Sequence, residues 1–319
     1  MDPARLLDGR LKLRHLVLVT TIAEHRSVIR AAEHLHVTQP VVTRGLRELE
    51  AVLGVELFDR GPRGVTPTLY GQAFVEHAQA VLAQIRQAGR HVTELREGHI
   101  GSVTVGTHLA GSNVLLPMAI GRLKRDRPRV TVIVKEGTPD VLAADLLAGQ
   151  VDLTVGRLTP ADDGGRTTQI QLYSEPVRLV TRTGHPAASA PDPALPELLD
   201  YPWILPVGQT ALRNELEEVF FAQGLPLPAD RVECTSILTL RSLLLTNDAI
   251  AALPMLIAEG DDRLTSLPTP LHGVRRLVGA TIAQNRAASP SSSLLLHHLR
   301  QAAVEIRERL APHQDTMPG

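Results

Sequence analysis

The sequence predicts an α+β protein of several domains: a small helical N-terminal domain, a long linker helix and a two-lobed α/β body. Three observations support this prediction. A chain of 319 residues is longer than one small core can organise. Short helical patterns occupy 1–66 and an apolar heptad repeat occupies 67–97. Strands alternating with helices fill the remainder.

The bulk composition excludes several classes of protein. The hydrophobic fraction of 43% and the charged fraction of 21% are those of a globular chain rather than a disordered one. No apolar run reaches the roughly 18–20 residues of a membrane-spanning helix, and the N-terminus lacks the pattern of a signal peptide. With a net charge of −1, any charge that binds nucleic acid must be local, or several copies must act together.

The first 66 residues carry three helical patterns and a hairpin. Apolar residues recur at helical spacing over 12–24. Ser27 is placed to cap a second helix over 28–35, because its hydroxyl can accept a backbone N–H. Beyond the third helix, strand-forming residues surround a glycine- and proline-rich turn at 61–64, which is typical of a tight hairpin.

The third helix, within HVTQPVVTRGLRELEAVLG at 36–54, combines a buried stripe with a polar face. Thr38 is placed to cap it through its hydroxyl, and Pro40 falls in the first turn, where its missing N–H leaves no bond unmade. The predicted buried stripe comprises Val42, Leu46, Leu49 and Leu53. The opposite face carries Gln39, Pro40, Thr43, Arg44 and Arg47.

The residue types on this polar face suit DNA. Arginine donates in a fork to guanine, glutamine pairs with adenine, and threonine contacts phosphate or the thymine methyl group. Two helices joined by a short turn form a helix-turn-helix, and a hairpin behind them makes the winged variant. Arg60 and Arg63 on the hairpin are placed for phosphate contact. The alternative is an ordinary solvated face, since any exposed helix carries polar side chains.

Residues 67–97 predict one long helix with an apolar seam. The seven seam positions, spaced alternately by four and three residues, are Phe74, Ala78, Val81, Ile85, Ala88, Val92 and Leu95. This repeat favours pairing with the same helix of a second copy, and its two alanines imply that the helix alone pairs weakly. The alternative is an amphipathic helix packed on its own domain. A glycine at each side of 98–101 predicts a hinge there.

Beyond the hinge, strands alternate with helices. The apolar strands at 102–107, 130–136 and 151–156, joined by helices, indicate a parallel, helix-covered sheet. A second run of strands and helices covers 203–253, after a proline-rich loop. Two such halves predict two lobes and a cleft between them. We place lobe 1 at about 102–174 and 284–310, and lobe 2 at about 175–283.

The stretch at 27–71 also carries an ordered set of motifs. They are Ala31-Ala32, Thr38-Gln39-Pro40, Leu49-Glu50, Leu53-Gly54, Leu57-Phe58-Asp59-Arg60, and Thr66-Pro67-Thr68 before Gly71. Together they closely resemble the N-terminal domain of LysR-type transcriptional regulators. Gly45 departs from the larger polar residue expected there, and glycine inside a helix costs about 0.5–1 kcal/mol relative to alanine. The sequence leaves open whether Gly45 lies near the DNA backbone or is simply tolerated.

The resemblance covers nearly the whole chain. It implies a winged helix-turn-helix, a long linker helix and a two-lobed effector domain of periplasmic-binding-protein type. It also implies a bacterial regulator that binds double-stranded promoter DNA sequence-specifically, as a homodimer or dimer of dimers, under the control of a small-molecule effector. The candidate DNA-binding residues are Ser27, Thr38, Gln39, Pro40, Thr43, Arg44, Arg47, Arg60 and Arg63.

The effector is expected in the cleft. In such a body, ligands bind beyond the carboxyl ends of strands and near helix N-termini, whose free N–H groups favour carboxylate or phosphate. The candidates are Thr107, His108, Ser112, Gly137 and Thr138 in lobe 1, and Leu205, Pro206, Thr235 and Ser236 in lobe 2. By resemblance, Thr107, Thr138 and Ser236 are favoured. A plain helix cap is the alternative for each hydroxyl, and a solvated loop side chain is the alternative for His108.

The run GRLTP at 156–160, together with the overall character of residues 11–157, resembles the branch that includes galactose-binding-protein and protocatechuate-pathway regulators. That resemblance implies a sugar or an aromatic or other organic acid as effector. The alternatives are an enzyme or a solute-binding protein built on the two lobes. Against the first, the chain lacks HExxH, a CxxC pair, GxSxG and a phosphate-cradling glycine loop. The missing signal peptide and the DNA-binding head count against the second.

Three expected absences complete the prediction. No cofactor and no metal are expected, because no motif for either is present. No membrane segment is expected, since every apolar run is short. The only cysteine, Cys234, cannot form an internal disulfide, which suits a reducing compartment, so the predicted location is cytoplasmic.

Overall fold

The computed structural model describes residues 6, 8–61, 64–96, 101–108, 113–158, 164–208, 210–272, 274, 277–284 and 286–311. It divides into two compact units, Met1–Thr93 with Leu147–Gln150, and Glu94–Leu146 with Val151–Gly319. The predicted site residues Arg63 and Ser112 and most of the predicted hinge, 98–100, lie outside the described residues. The side chains of Arg60 and Leu95 lie outside them too.

The N-terminal unit folds as the predicted winged helix-turn-helix. Its elements are α1 (Leu13–His25), α2 (Val28–His34), α3 (Gln39–Leu53), β1 (Phe58–Gly61), β2 (Gly64–Pro67) and α4 (Leu69–Arg96). Ser27 caps α2 as predicted, because its hydroxyl accepts the N–H of Arg30. The strands β1 and β2 pair antiparallel, with Phe58 opposite Pro67.

The helix α3 begins where predicted, but without the predicted capping bond. Val42, Leu46, Leu49 and Leu53 are all buried, which confirms the stripe. Thr38 occupies the N-cap, yet its hydroxyl makes no capping bond. Its carbonyl oxygen accepts the N–H groups of Val41 and Val42, at 3.0 and 3.3 Å. Because Pro40 has no N–H, the first turn has one donor fewer to satisfy.

The long helix α4 packs partly on its own domain. Val75, Ala78 and Leu82 are buried in the core of the winged helix-turn-helix, and Phe74 is partly buried against it. The predicted seam position Ala78 therefore faces inward and cannot meet a second copy. The division predicted at 66/67 thus separates α4 from a core in which its N-terminal half packs. The seam positions that stay exposed are Val81, Ile85, Ala88 and Val92.

The C-terminal unit contains two lobes, each built on a five-stranded sheet. In lobe 1 the strands are β3 (Ser102–Thr107), β4 (Thr131–Glu136), β5 (Leu153–Arg157), β6 (Thr167–Ser174) and β12 (Leu277–Ala283), in the order β4-β3-β5-β12-β6. Its helices are α5 (Leu115–Asp126), α6 (Pro139–Leu147) and α10 (Pro290–Leu310). The hydroxyl of Ser289 caps α10 by accepting the N–H of Ser292 at 3.1 Å.

Lobe 2 is built on the same plan. Its strands are β7 (Val177–Arg182), β8 (Trp203–Leu205), β9 (Arg231–Glu233), β10 (Ile250–Pro254) and β11 (Leu264–Ser266), in the order β11-β7-β10-β8-β9. Its helices are α7 (Ala211–Ala222), α8 (Ile237–Thr246), α9 (Met255–Glu259) and two 3₁₀ helices at Pro186–Ser189 and Leu195–Asp200. Trp203, fully buried, packs edge-on against Phe220 in its core.

Both sheets are mixed, although the sequence predicted a parallel one. In lobe 1, β3 is parallel to β4 and β5, whereas β12 is antiparallel to β5 and β6. The chain thus returns to lobe 1 with β12, which begins at Leu277, one strand earlier than the boundary predicted at about 283/284. The edge strand β6 was missed, although Ile170 and Leu172 alternate with glutamines within its sequence TTQIQLYS.

Candidate DNA-binding interface and effector site

The face of α3 opposite the core is exposed and uncommitted. Gln39, Pro40, Arg44 and Arg47 are exposed, and Thr43 is partly buried. Within the described ranges, no hydrogen bond or ion pair engages the side chains of Gln39, Arg44 or Arg47. Their donors are therefore available to another molecule.

Two carboxylates of α3 contact neighbouring parts of the N-terminal unit. Glu48 forms an ion pair with Arg14 of α1 at 3.2 Å. Glu50 accepts the N–H of Leu57 at 2.9 Å, which ties the end of α3 to the residue before the wing. The sequence motif contained Glu50, but it did not predict this role, because the partner is a backbone group seven residues away.

Gly45 faces α1 rather than the exposed side of α3. A β-carbon at this position would lie 2.7 Å from Cδ1 of Leu18, which is buried in α1. Interiors are close-packed, so an alanine would require Leu18 to shift. The contact is with a terminal methyl group of a flexible side chain, so Gly45 lies at the packed α1–α3 contact and not on the exposed face of α3.

The wing, β1 with β2, is fastened to the turn between α1 and α2. The N–H of Val65 donates to the carbonyl oxygen of Arg26 at 3.0 Å. Gly64 has a φ of +117°, and a β-carbon there would come within 2.5 Å of the same oxygen, so glycine is required. Nothing in the sequence indicated Arg26, because its backbone carbonyl makes the contact. The wing arginine Arg60 lies on β1.

The lobe 1 candidates meet at the C-terminal ends of β3 and β4. The N–H of Gly137 lies 3.4 Å from the carbonyl oxygen of Thr107. Thr107 is fully buried, and its hydroxyl donates to the carbonyl oxygen of Val155 at 3.0 Å, so its proton supports β5. Thr138 precedes α6. Its hydroxyl bonds to Asp140 and thereby lowers the pKa of that carboxyl below its usual value.

His108 is the lobe 1 candidate with unused hydrogen-bonding capacity. Burial lowers the pKa of His108 below its usual value, and nearby Glu136 opposes the shift by favouring the charged ring. Its Nε2 atom is buried and has no hydrogen-bond partner in the described part of the chain. An imidazole nitrogen can donate or accept, depending on its tautomer, so Nε2 can serve a polar ligand.

The lobe 2 candidates meet at the ends of the parallel strands β8 and β9. Leu205 and Pro206 are buried, and the carbonyl oxygen of Pro206 accepts from the buried guanidinium of Arg213 at 3.0 Å. Both side chains are apolar, and the Pro206 carbonyl oxygen is already engaged by Arg213. Thr235 and Ser236 are exposed, and the Ser236 hydroxyl caps α8 by accepting the N–H three residues later at 3.3 Å.

One ion pair that the sequence did not predict joins the two lobes. Arg157, the last residue of β5, meets Glu215 of α7 at 2.6 Å, with the side chains only 14% and 11% exposed. Such a short contact between charged groups is a charge-assisted hydrogen bond. The partners lie 58 residues apart, so no local pattern could have paired them.

Neither a membrane-spanning helix nor a metal-binding cluster is found among the described residues. Among them, no helix is both long enough and apolar enough to cross a membrane. In the same part of the chain, no three His, Cys, Asp or Glu side chains are grouped so that they could hold a metal ion.

A winged helix-turn-helix with an uncommitted polar face, carried on a chain with a two-lobed α/β unit, defines a DNA-binding transcriptional regulator with an effector domain. Residues 13–72 match the bacterial regulatory helix-turn-helix protein of the lysR family, and residues 96–304 match the LysR substrate binding domain. The chain belongs to the LysR family of transcriptional regulators, as its motifs predicted.

The chain aligns with transcriptional regulators over most of its length. The chain is 35% identical over 308 residues to the HTH-type transcriptional regulator PcaQ of Agrobacterium fabrum, covering 94% of this chain and 98% of that one. It is 36% identical over 254 residues to the HTH-type transcriptional regulator GbpR of Azospirillum brasilense, covering 79% and 74%. These relatives lend no support to the enzyme and solute-binding alternatives.

Solved structures show the same fold. A full-length OxyR variant from Pseudomonas aeruginosa is 23% identical, with a TM-score of 0.59 over 91% of this chain and 95% of that one. Full-length CbnR complexed with its target DNA is 23% identical, with a TM-score of 0.54 over 92% and 100%. At this level of identity the likeness concerns the fold alone.

Proposed function

We propose that this regulator recognises promoter DNA through the exposed face of α3 and through the wing. One observation carries the proposal. The side chains of Gln39, Arg44 and Arg47 are exposed and make no hydrogen bond or ion pair within the described residues, while the other side of α3 is buried in the core. Arginine and glutamine read base edges in the major groove, and a wing contacts the phosphates beside it. Thr43 adds a hydroxyl on the same face.

The DNA-binding unit acts in a homodimer that assembles into a dimer of dimers in the cytoplasm. The exposed apolar residues Val81, Ile85 and Val92 of α4 support a helix-to-helix contact, because they repeat at heptad spacing and stay uncovered in the single chain. The net charge of −1 is compatible with tight binding, since several units on one site add their phosphate contacts.

Replacing Arg44 with alanine should weaken binding to DNA from upstream of the protein's own gene by roughly 5- to 150-fold. This range corresponds to the ~1–3 kcal/mol of one arginine contact with a base. A mobility-shift titration at several salt concentrations, with random DNA as competitor, measures the effect. The variant Arg125→Ala removes the same charge from the exposed side of α5 and should bind like the wild type. Equal affinity of the wild type for both DNAs would contradict the proposal.

The effector is a sugar or an aromatic or other organic acid. The resemblance to the branch of galactose-binding-protein and protocatechuate-pathway regulators implies this class. It binds the effector domain at His108, Thr138 and Ser236. The buried Nε2 atom without a partner supports this placement, as do the N-termini of α6 and α8, which attract carboxylates. Effector binding closes the lobes and shifts the placement of the DNA-binding units, and hence the bending of the DNA.

Thermal unfolding of the full-length protein with galactose or 3,4-dihydroxybenzoate tests the effector class. A compound that binds only the folded state raises Tm, and Thr138→Ala or Ser236→Ala should reduce that rise. The variant Ser242→Ala, exposed near the other end of α8, serves as the matched control. A rise that is unchanged in both site variants would overturn the site assignment. No rise with either compound would overturn the effector class.

A further inference from the structure

The crossover from lobe 1 to lobe 2 carries a buried carboxyl group. Glu175 directly follows β6 of lobe 1, and only one residue separates it from β7 of lobe 2. Its exposure is 3%. Acidic residues are rarely buried so completely, because removing a charge from water is costly unless it is paired. The position of Glu175 at the joint between two lobes therefore needs an explanation.

Two hydrogen bonds tie this carboxyl to elements on both sides of the joint. Oε2 of Glu175 accepts the hydroxyl proton of Tyr173 in β6 at 3.2 Å, and Oε1 accepts the N–H of Leu256 in α9 at 3.0 Å. The short helix α9 follows β10 of lobe 2. Leu256 packs in the core of lobe 1, whereas Ala258 packs in a core of lobe 2. Glu175 thus joins the crossover to a helix that both lobes share.

The charged groups facing Glu175 do not neutralise it. Arg157 of β5 attracts it weakly and is already bonded to Glu215. Glu259 of α9 repels it, although that carboxylate itself lies 3.8 Å from Arg309 of α10. Burial raises the pKa of Glu175 to about 7, the two hydrogen bonds oppose the rise, and Glu259 adds to it. The carboxyl therefore exchanges its proton near neutral pH.

We propose that Glu175 is a proton-binding site at the crossover between the lobes, where proton uptake favours the packed crossover and proton loss loosens it. The neutral carboxyl fits a dry joint, while the carboxylate gains free energy when water reaches it. Water reaches it only if α9 separates from the crossover. Any ligand that changes how the lobes pack is then linked to the proton, because each shifts the other's affinity by the same factor. The inference does not depend on the identity of the DNA site or the effector.

The sign of the pH effect follows from the raised pKa. The folded lobes hold this proton more tightly than an unfolded chain, whose glutamate has a pKa of 4.5. The resulting stabilisation is fully present below pH 4.5 and is lost as the pH rises through about 7. For a single proton, the unfolding equilibrium constant should rise about tenfold between pH 6 and pH 8.

The experiment compares full-length wild type with Glu175→Gln by urea unfolding from pH 5.5 to 8.5, followed through the fluorescence of the single tryptophan, Trp203. Glutamine mimics the protonated carboxyl and keeps an acceptor for the N–H of Leu256. Between pH 6 and pH 8, the unfolding equilibrium constant of the wild type should rise about tenfold more than that of this variant. The exposed Glu218→Gln on α7 should follow the wild type. A pH-independent difference between wild type and Glu175→Gln would overturn the proposal.

Two neighbouring variants supply a test that a merely structural role would not pass. Glu259→Gln removes a charge that repels Glu175. It should therefore lower the pH at which Glu175 loses its proton, which is read from the pH dependence of unfolding. Tyr173→Phe removes a donor to the carboxylate and should raise that pH. These opposite shifts decide the question even if Glu175→Gln does not fold. A pH of proton loss that neither variant moves would overturn the assignment to Glu175.

Discussion

Replacing Gly71 with alanine should destabilise the winged helix-turn-helix by roughly 3 kcal/mol or more, beyond the usual range for overpacking. The glycine lies in the first turn of α4, where the helix meets the backbone of Leu57. An added β-carbon would overlap the carbonyl oxygen of Leu57 and lie 2.8 Å from its carbonyl carbon. That carbonyl accepts the N–H of Thr68, and the N–H of Leu57 is held by Glu50, so this backbone cannot move without breaking both bonds.

Hydrogen exchange of peptides from α1 to α3 in the full-length protein measures this loss, since the only tryptophan lies in lobe 2. DNA affinity should fall with it. The control is Gly89→Ala on the same helix, where a β-carbon meets no atom within 4 Å. That change should stabilise α4 by about 0.5–1 kcal/mol, because alanine is the better helix former. Similar exchange rates in the two variants would refute the packing argument.

Replacing Glu215 with alanine should destabilise the effector domain by about 3 kcal/mol, at the lower end for a broken buried ion pair. Both side chains of the Arg157–Glu215 pair are largely buried. The substitution leaves the guanidinium in a low-dielectric environment without the carboxylate that neutralises it. Urea unfolding followed by the fluorescence of Trp203 reports the loss.

A double variant separates the charge effect from packing. Arg157→Met combined with Glu215→Leu should cost less than Glu215→Ala alone, because no uncompensated charge remains. Lys135→Ala breaks an ion pair with Asp145 at 3.6 Å whose side chains are 41% and 32% exposed. This control should cost less than about 1 kcal/mol. Equal losses for the buried and exposed pairs would mean that the interlobe pair has no special weight.

Much of the DNA-binding unit was predictable because its signals are local. The four-residue and three-residue spacing of Val42, Leu46 and Leu49 reports a buried helix face wherever the helix packs. Ser27 caps α2 through a hydrogen bond with the N–H of Arg30, which is only three residues away. The ordered motifs at 27–71 added the family, which periodicity alone could not supply.

The candidate effector site was less predictable, because side-chain type does not reveal its partners. Thr107 and Ser236 were selected as hydroxyls near strand ends. The structure has the first donating inside the sheet and the second capping a helix. The uncommitted group is instead the Nε2 atom of His108, and only the burial around it distinguishes it from a solvated histidine.

The sequence by itself determined the order of the domains, most helix and strand positions and the buried face of α3. These features depend on caps and periods that span a few residues. Only the tertiary structure decided why Gly71 is a glycine, that Gly45 faces α1, that β12 returns to lobe 1, and that Glu175 lies between the lobes. Each of these depends on atoms from distant parts of the chain, whose proximity no local pattern encodes. Arg157 and Glu215 meet for the same reason, and burial then makes their contact strong.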